Sequence, residues 1–156
     1  MTKDDLIRAV FTRLISEASQ ERSAGIVIIK KDSDYPLFLA LLKPNDKYDI
    51  TKGIIEPGES DLDCALREAW EESGIILREE NFKWGKISKS YGHGIAFIAE
   101  TDDSPVITPN PESGILEHIE AKWVTFDEMI KNVSEFLIPA INWAYNVKMD
   151  NTHVNI

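Results

Sequence analysis

The sequence holds a single cysteine, Cys64, so no disulfide can form within the chain and no site built from several thiolates is available. A chain without disulfides suits a reducing compartment, and a cytoplasmic location is the expectation. Positive charge is also scarce: 17 Lys and Arg stand against 27 Asp and Glu, a net charge of -10. That balance argues against holding nucleic acid by broad phosphate neutralisation, which needs a basic face. No apolar run reaches the roughly 20 residues that span a bilayer, and no internal repeat or low-complexity tract is present. An acidic chain can still bind phosphates locally, through a few clustered Lys and Arg or through divalent cations held by carboxylates.

What remains is an ordinary globular composition, with 43% hydrophobic and 28% charged residues in 156. A single domain over residues 1–156 is expected, with residues 1–22 as a helical extension. Leu6, Ile7, Val10, Phe11, Leu14 and Ile15 fall at helical spacing and predict an amphipathic helix over Asp4–Ser19, capped by Thr2 or Asp4 and packed on the domain or on a partner subunit. Ala24–Lys30 and Leu37–Leu42 read as a β-hairpin around the turn-like Lys31–Pro36. Phe82–Tyr91, Ile95–Thr101 and Ala121–Thr125 read as three more strands, and Asp127 to about Asn146 as one long helix. Asp102–Gly114, with Pro105, Pro109 and Pro111, reads as an irregular loop. Strands interrupted by one helix and closed by another predict an α/β fold, a mixed sheet with helices on its faces.

The densest chemistry lies between Gly53 and Ile75. Ser60 is a good N-cap with Asp63 at the capping-box position, and Gly74 is a good stop, so a helix is expected between them. On it Glu68, Glu71 and Glu72 stand at i, i+3 and i+4, which projects three carboxylates from one face, with Leu62, Leu66 and Ala69 opposite. Like charges at that spacing destabilise a helix by a few tenths of a kcal/mol per pair. Something positive is therefore expected among them, either Arg67 or hard cations such as Mg²⁺ that prefer oxygen ligands. Standing alone, the three carboxylates would read as a solvated acidic face.

The whole segment resembles the Nudix box: Gly53, five residues, Glu59, seven residues, Arg67-Glu68, the apolar Ala69, one residue, Glu71-Glu72, one residue, Gly74 and the apolar Ile75. At typical residue frequencies a chance match has a probability on the order of 10⁻⁸ per starting point. The resemblance implies a Nudix-type α/β/α sandwich with a mixed central sheet, an N-terminal and a C-terminal helix, and a box folded as loop, helix and loop. It also implies a hydrolase that cleaves the phosphoanhydride of a nucleoside diphosphate derivative with Mg²⁺, for which Mn²⁺ can substitute. By the same resemblance Gly53, Glu68, Glu71, Glu72 and a downstream Glu117 are expected at the metal. Glu59, Arg67, Glu71, Glu72 and Glu117 are expected in catalysis, with Arg67 orienting a box glutamate. Glu112 and Glu120 compete with Glu117 for the downstream role.

Substrate is read from the flanks. Tyr48-Asp49-Ile50-Thr51-Lys52-Gly53 is similar to the Trp-x-x-Pro-Lys-Gly that leads into the box of asymmetric diadenosine tetraphosphate hydrolases, with Tyr for Trp and Thr for Pro. Glu117-His118 and Trp123 match that subfamily's Glu-His-x-x-x-x-Trp, and Tyr91 stands where the subfamily carries a substrate-binding tyrosine. Lys43, Lys52, Lys89, Tyr91 and His118 are the expected substrate contacts, the lysines through phosphates and Tyr91 by stacking on a base. A dinucleoside polyphosphate is the first expectation. ADP-ribose and NADH pyrophosphatases are alternatives, the ADP-ribose reading bringing a proline near Tyr91 that is absent here, and an RNA 5′-end pyrophosphohydrolase would bring a Gln where Lys52 stands. A non-catalytic nucleotide-binding module would have lost a box carboxylate, and all are present. The expected partner is a small nucleotide, with no membrane, and with nucleic acid only as an RNA 5′ end.

Overall fold

The computed structural model describes residues 2–19 and 21–154, and their side chains apart from those of 12–19 and 151–154. Seven strands form one mixed sheet: β1 Ser23–Lys30, β2 Leu37–Leu42, β3 Tyr48–Asp49, β4 Thr51–Ile54, β5 Ser88–Tyr91, β6 Gly94–Thr101 and β7 Glu120–Thr125. The main order is β3-β2-β1-β6-β5, with β4 on β1 and β7 on β2. β1 runs parallel to β6 along its whole length, from Ser23 opposite Gly94 to Lys30 opposite Thr101, and the other pairings are antiparallel. The predicted hairpin of β1 and β2 forms, with Ile29 opposite Phe38.

Alternation along the central strands builds two cores, because successive side chains leave a strand on opposite faces. Ala24, Ile26 and Ile28 of β1, with Leu39, Leu41, Phe97 and Ala99, meet Cys64, Ala65 and Ala69 of helix α2, Asp61–Ser73. Val27 and Ile29, with Phe38, Ala40, Ala96 and Ile98, meet Met129 of α3, Phe126–Asn132, and Ala140, Ile141 and Ala144 of α4, Ile138–Val154. Helices therefore cover both faces of the sheet, the expected α/β/α layering.

The N-terminal helix α1 spans Lys3–Ser19, and Thr2 and Asp5 exchange side-chain-to-backbone bonds at its start, each 3.1 Å. Its Leu6, Ile7, Val10 and Phe11 are exposed, so these four side chains do not pack on the domain. The matching positions Leu14 and Ile15 lie outside the described side chains.

Three sequence expectations change. Only Ser88–Tyr91 of the anticipated Phe82–Tyr91 strand is extended, because Phe82 follows a 3₁₀ turn at Glu79–Asn81 and Gly85 at φ 83° turns the chain again. The anticipated helix from Asp127 to Asn146 is two helices. Pro139 has no N–H to donate to the preceding turn and cannot sit inside a continuous helix, and Val133 is extended at φ -72°, ψ 157°. A 3₁₀ turn, Glu135–Leu137, fills the break. Finally, Gly53 lies in strand β4 rather than in a loop.

Candidate active site

Helix α2 starts and stops as its caps dictate. Ser60 Oγ accepts from the Asp63 backbone N–H at 3.1 Å, and Gly74 sits in the left-handed region at φ 72° with its N–H on Trp70 O. The loop Asp102–Gly114 is strapped to the same helix end, with Val106 N–H on Ser73 O at 2.8 Å and Thr108 Oγ1 on Glu71 O at 3.1 Å. Its Asn110 is thereby held near the glutamates.

One face of α2 lies against β4, and the two touch at Gly53. A Cβ there would run into the Glu68 carboxylate, so glycine at 53 lets that carboxylate lie directly on the strand, and any larger residue would displace it. The Gly53 carbonyl accepts from Cys64 Sγ at 3.5 Å. Burial pushes the Cys64 thiol up to about 12, which keeps it protonated and inert as a nucleophile.

Arg67 organises the outer carboxylates. Nε and Nη2 donate to the two Glu59 oxygens at 2.8 and 2.9 Å, Nη1 to Glu68 at 2.9 Å and Glu71 at 3.2 Å, and Nη2 also to Ile54 O at 3.1 Å. The paired hydrogen bonds from Arg67 hold the Glu59 carboxyl down at about 2. With its donors committed in this way, Arg67 joins Glu59, Glu68 and Glu71 on one guanidinium.

Glu72 departs from the expected outward triad. It is 8% exposed, on the buried side of α2 beside Ala65 and Ala69, and its Oε1 accepts from the Lys52 backbone N–H at 2.8 Å. Its Oε2 lies 3.4 Å from His118 Nδ1, and His118 Nε2 lies 3.5 Å from Asp49 Oδ2. Burial pushes Glu72 up to about 9 and Glu68 to about 7, because each would be a charge in a poorly solvated place.

Glu68, Glu71, Glu72 and Glu117 converge with Thr108, Asn110 and His118 on a cavity of about 10 Å³. Donor atoms of Glu72, Glu117 and His118 lie within 4.8 Å of one another. Four carboxyl groups face this small space, and Arg67, which bonds to Glu68 and Glu71 of the four, is itself bound to Glu59. An oxygen-rich, ion-sized pocket fits a hard divalent cation such as Mg²⁺. Gly53, Lys52, Arg67, Glu68, Glu71 and Glu117 also line a wider groove of about 490 Å³, together with Ile54, Ile55, Glu56 and Glu112. Of the two rivals to Glu117, Glu112 thus reaches the groove, while Glu120 opens β7.

The remaining expected contacts separate. Lys52 Nζ faces Asp49 Oδ2 at 3.4 Å and lies 5.7 Å from the Phe136 ring centre. Tyr91, expected to stack on a base, is 4% exposed, and its hydroxyl shares a 2.9 Å hydrogen bond with Ser23 Oγ. The ring that solvent reaches here is Phe136, 45% exposed and 6.1 Å from Tyr91. Lys89 lines a separate groove with Trp143 and Asn146, and Lys43 lines neither glutamate cavity. His118 is buried rather than at the surface. Sequence reasoning missed Asp49, Asn110 and Phe136. Pro139 signals the helix break that presents Phe136, but nothing in the linear pattern pairs Asp49 with His118.

The NUDIX domain model matches residues 19–144. Over 84 residues the chain is 32% identical to the NAD-capped RNA hydrolase NudC of Chromobacterium violaceum, which covers 53% of this chain and 29% of that protein. The chain thus spans less than a third of that relative's length. Among solved structures, the Caenorhabditis elegans Ap4A hydrolase binary complex superposes with a TM-score of 0.64 at 20% identity, over 84% of this chain and 98% of the other. A bifunctional NMN adenylyltransferase/ADP ribose pyrophosphatase from Francisella tularensis, complexed with AMP and Mn ion, gives 0.58 at 16% identity, over 93% and 47%. No helix among the described residues is long and apolar enough to cross a membrane. A domain match over residues 19–144, on a chain whose Glu68, Glu71 and Glu72 line one cavity beside the Arg67–Glu59 pair, means that the chain belongs to the NUDIX domain family.

Proposed function

We propose that the chain hydrolyses a phosphoanhydride bond of a dinucleoside polyphosphate such as diadenosine tetraphosphate, with Mg²⁺ as cofactor and Mn²⁺ as its substitute. The observation that carries this reading is an exposed ring and a wide groove that share Lys52. Phe136 presents its exposed ring 5.7 Å from Lys52 Nζ, and Lys52 also lines the groove of about 490 Å³ with Ile54, Ile55 and the glutamates. A base stacks on the ring through its π-face, the second nucleoside lies in the groove, and the phosphate chain crosses the glutamates between them. The cytoplasm, consistent with the lone buried thiol of Cys64, is the proposed compartment.

Glu68, Glu71, Glu72 and Glu117 would hold the cation, which would supply neutralisation of phosphate oxygens and a lowered pKa for the attacking water. Glu117 is exposed, lines both cavities and is steadied by Asn110 Nδ2 on its Oε1 at 3.1 Å. It accepts the proton that the water releases. Attack at a phosphorus away from the chain's midpoint gives ATP and AMP.

A second reading follows from the kinship to a NAD-capped RNA hydrolase. Glu21, Glu56, Glu112 and Glu117 on the groove oppose a polynucleotide backbone, and so favour the smaller substrate. A panel of substrates with Mg²⁺, its products separated by chromatography, tests the proposal. Diadenosine tetraphosphate is expected to give the highest kcat/KM. A tenfold preference for ADP-ribose, NADH, NAD-capped RNA or triphosphorylated RNA, about 1.4 kcal/mol in transition-state stabilisation, overturns the substrate while leaving the family intact.

A further inference from the structure

We propose that Asp49 and His118 are positioning residues that act through Glu72, the imidazole at the cavity's edge fixing the box carboxylate rather than touching substrate. Four residues from three parts of the chain close a ring. His118, 5% exposed in the segment before β7, turns Nδ1 to Glu72 and Nε2 to Asp49. Asp49, equally buried at the end of β3, is itself held by the Ile50 N–H on Oδ1 at 2.9 Å and by Lys52 Nζ. Lys52 returns to the start, since its backbone N–H is bonded to the other oxygen of Glu72.

An imidazole has two nitrogens, and both of these face a carboxylate. His118 lines the glutamate cavity, but each ring nitrogen has a carboxylate oxygen within 3.5 Å, and the side chain is 5% exposed. Glu72 has the Lys52 N–H hydrogen-bonded to one oxygen and the imidazole 3.4 Å from the other, which restricts the rotational freedom that a carboxylate on a helix otherwise keeps. Groups standing behind a ligand in this way orient it, and their loss typically lowers metal affinity or activity about 10- to 100-fold. Asp49 is one remove further back, fixing the imidazole plane. This inference rests on the reading of Glu72 as a cation-holding glutamate, and the test separates the two.

The experiment compares Asp49→Asn, His118→Gln, Glu72→Gln and the double variant Asp49→Asn with Glu72→Gln in the full-length chain. Mn²⁺ binding is measured without substrate by electron paramagnetic resonance and titration calorimetry. Thermal midpoints establish folding, and kcat and KM are measured at saturating Mg²⁺. Asp49→Asn and His118→Gln are each expected to weaken Mn²⁺ binding about tenfold and to lower kcat with KM unchanged. Adding Asp49→Asn to Glu72→Gln is expected to change neither quantity further, because the path runs through the missing carboxylate. Additive losses in the double variant, or a raised KM with unchanged kcat in His118→Gln, overturn the proposal. If Glu72→Gln alone leaves Mn²⁺ binding and kcat at wild-type values, the reading of Glu72 fails first and the positioning role falls with it. Should Asp49→Asn not fold, His118→Gln and its own double variant with Glu72→Gln decide by the same criteria.

Discussion

Arg67 grips Glu59 through both carboxylate oxygens, at 2.8 and 2.9 Å, across eight residues of chain. The pair ties the loop that precedes α2 to the middle of the helix. Replacing the planar guanidinium by a single ammonium, Arg67→Lys, breaks the fork and frees Ile54 O, Glu68 and Glu71 from a common donor. A charged hydrogen-bond pair of this kind is worth about 1.5–3 kcal/mol. The metal-free variant is therefore expected to melt several degrees lower and to bind Mn²⁺ more weakly. Calorimetry with and without Mn²⁺ measures both effects, and an unchanged midpoint would show the fork to be dispensable.

Burial raises the Glu72 and Glu68 carboxyls to about 9 and about 7 in the metal-free protein, against an ordinary value of 4.5. Between those limits the unfolded chain has released protons that the folded chain still holds, so stability falls as pH rises from about 4.5 towards 9. Glu59, held down at about 2, acts in the opposite sense in a separate window below 4.5. In chelator, melting midpoints should decline across pH 5–9, and Glu72→Gln should flatten the slope while raising stability at the alkaline end. Saturating Mg²⁺ should flatten it as well. Parallel slopes for wild type and variant would remove Glu72 as the source.

Phe136→Ala should raise KM about tenfold with kcat within a factor of two, because stacking of about 1–3 kcal/mol acts equally in the ground and transition states. Phe136→Tyr should restore KM. Steady-state kinetics on diadenosine tetraphosphate measure the split, and an unaltered KM would leave the base without its platform.

Glu117→Gln should lower kcat by 10²- to 10⁴-fold, the usual range for a lost general base, with little change in KM or melting. The side chain is exposed, so folding does not depend on it. Chelator should abolish turnover in the wild type, and Mg²⁺ or Mn²⁺ should restore it. Residual activity above one tenth in Glu117→Gln would move the proton to another group.

The box was legible because its signals are local. Ser60 and Gly74 set the ends of α2 from adjacent residues, and the spacing of Glu68, Glu71 and Glu72 fixes their place on one helix. What was not legible depends on distant chain. Glu72 reads as an outward carboxylate until β4 is laid against it, and Tyr91 reads as a free aromatic until Ser23, 68 residues away, takes its hydroxyl. Asp127 to Asn146 reads as one helix in the linear pattern, and it is Pro139, together with the extended Val133, that divides it in the fold.

The interruption between α3 and α4 separates two kinds of change. The glutamate network is braced by α2, β4 and Arg67, and a substitution there disturbs several partners at once. Phe136 sits in a three-residue turn, exposed, and meets that network through the Lys52 side chain. With a base docked on Phe136 as proposed, a residue swapped in this turn alters that docking without moving the carboxylates. A molecule arranged so can acquire a new preference by a single step in one short segment, while its hydrolytic apparatus stays as it was.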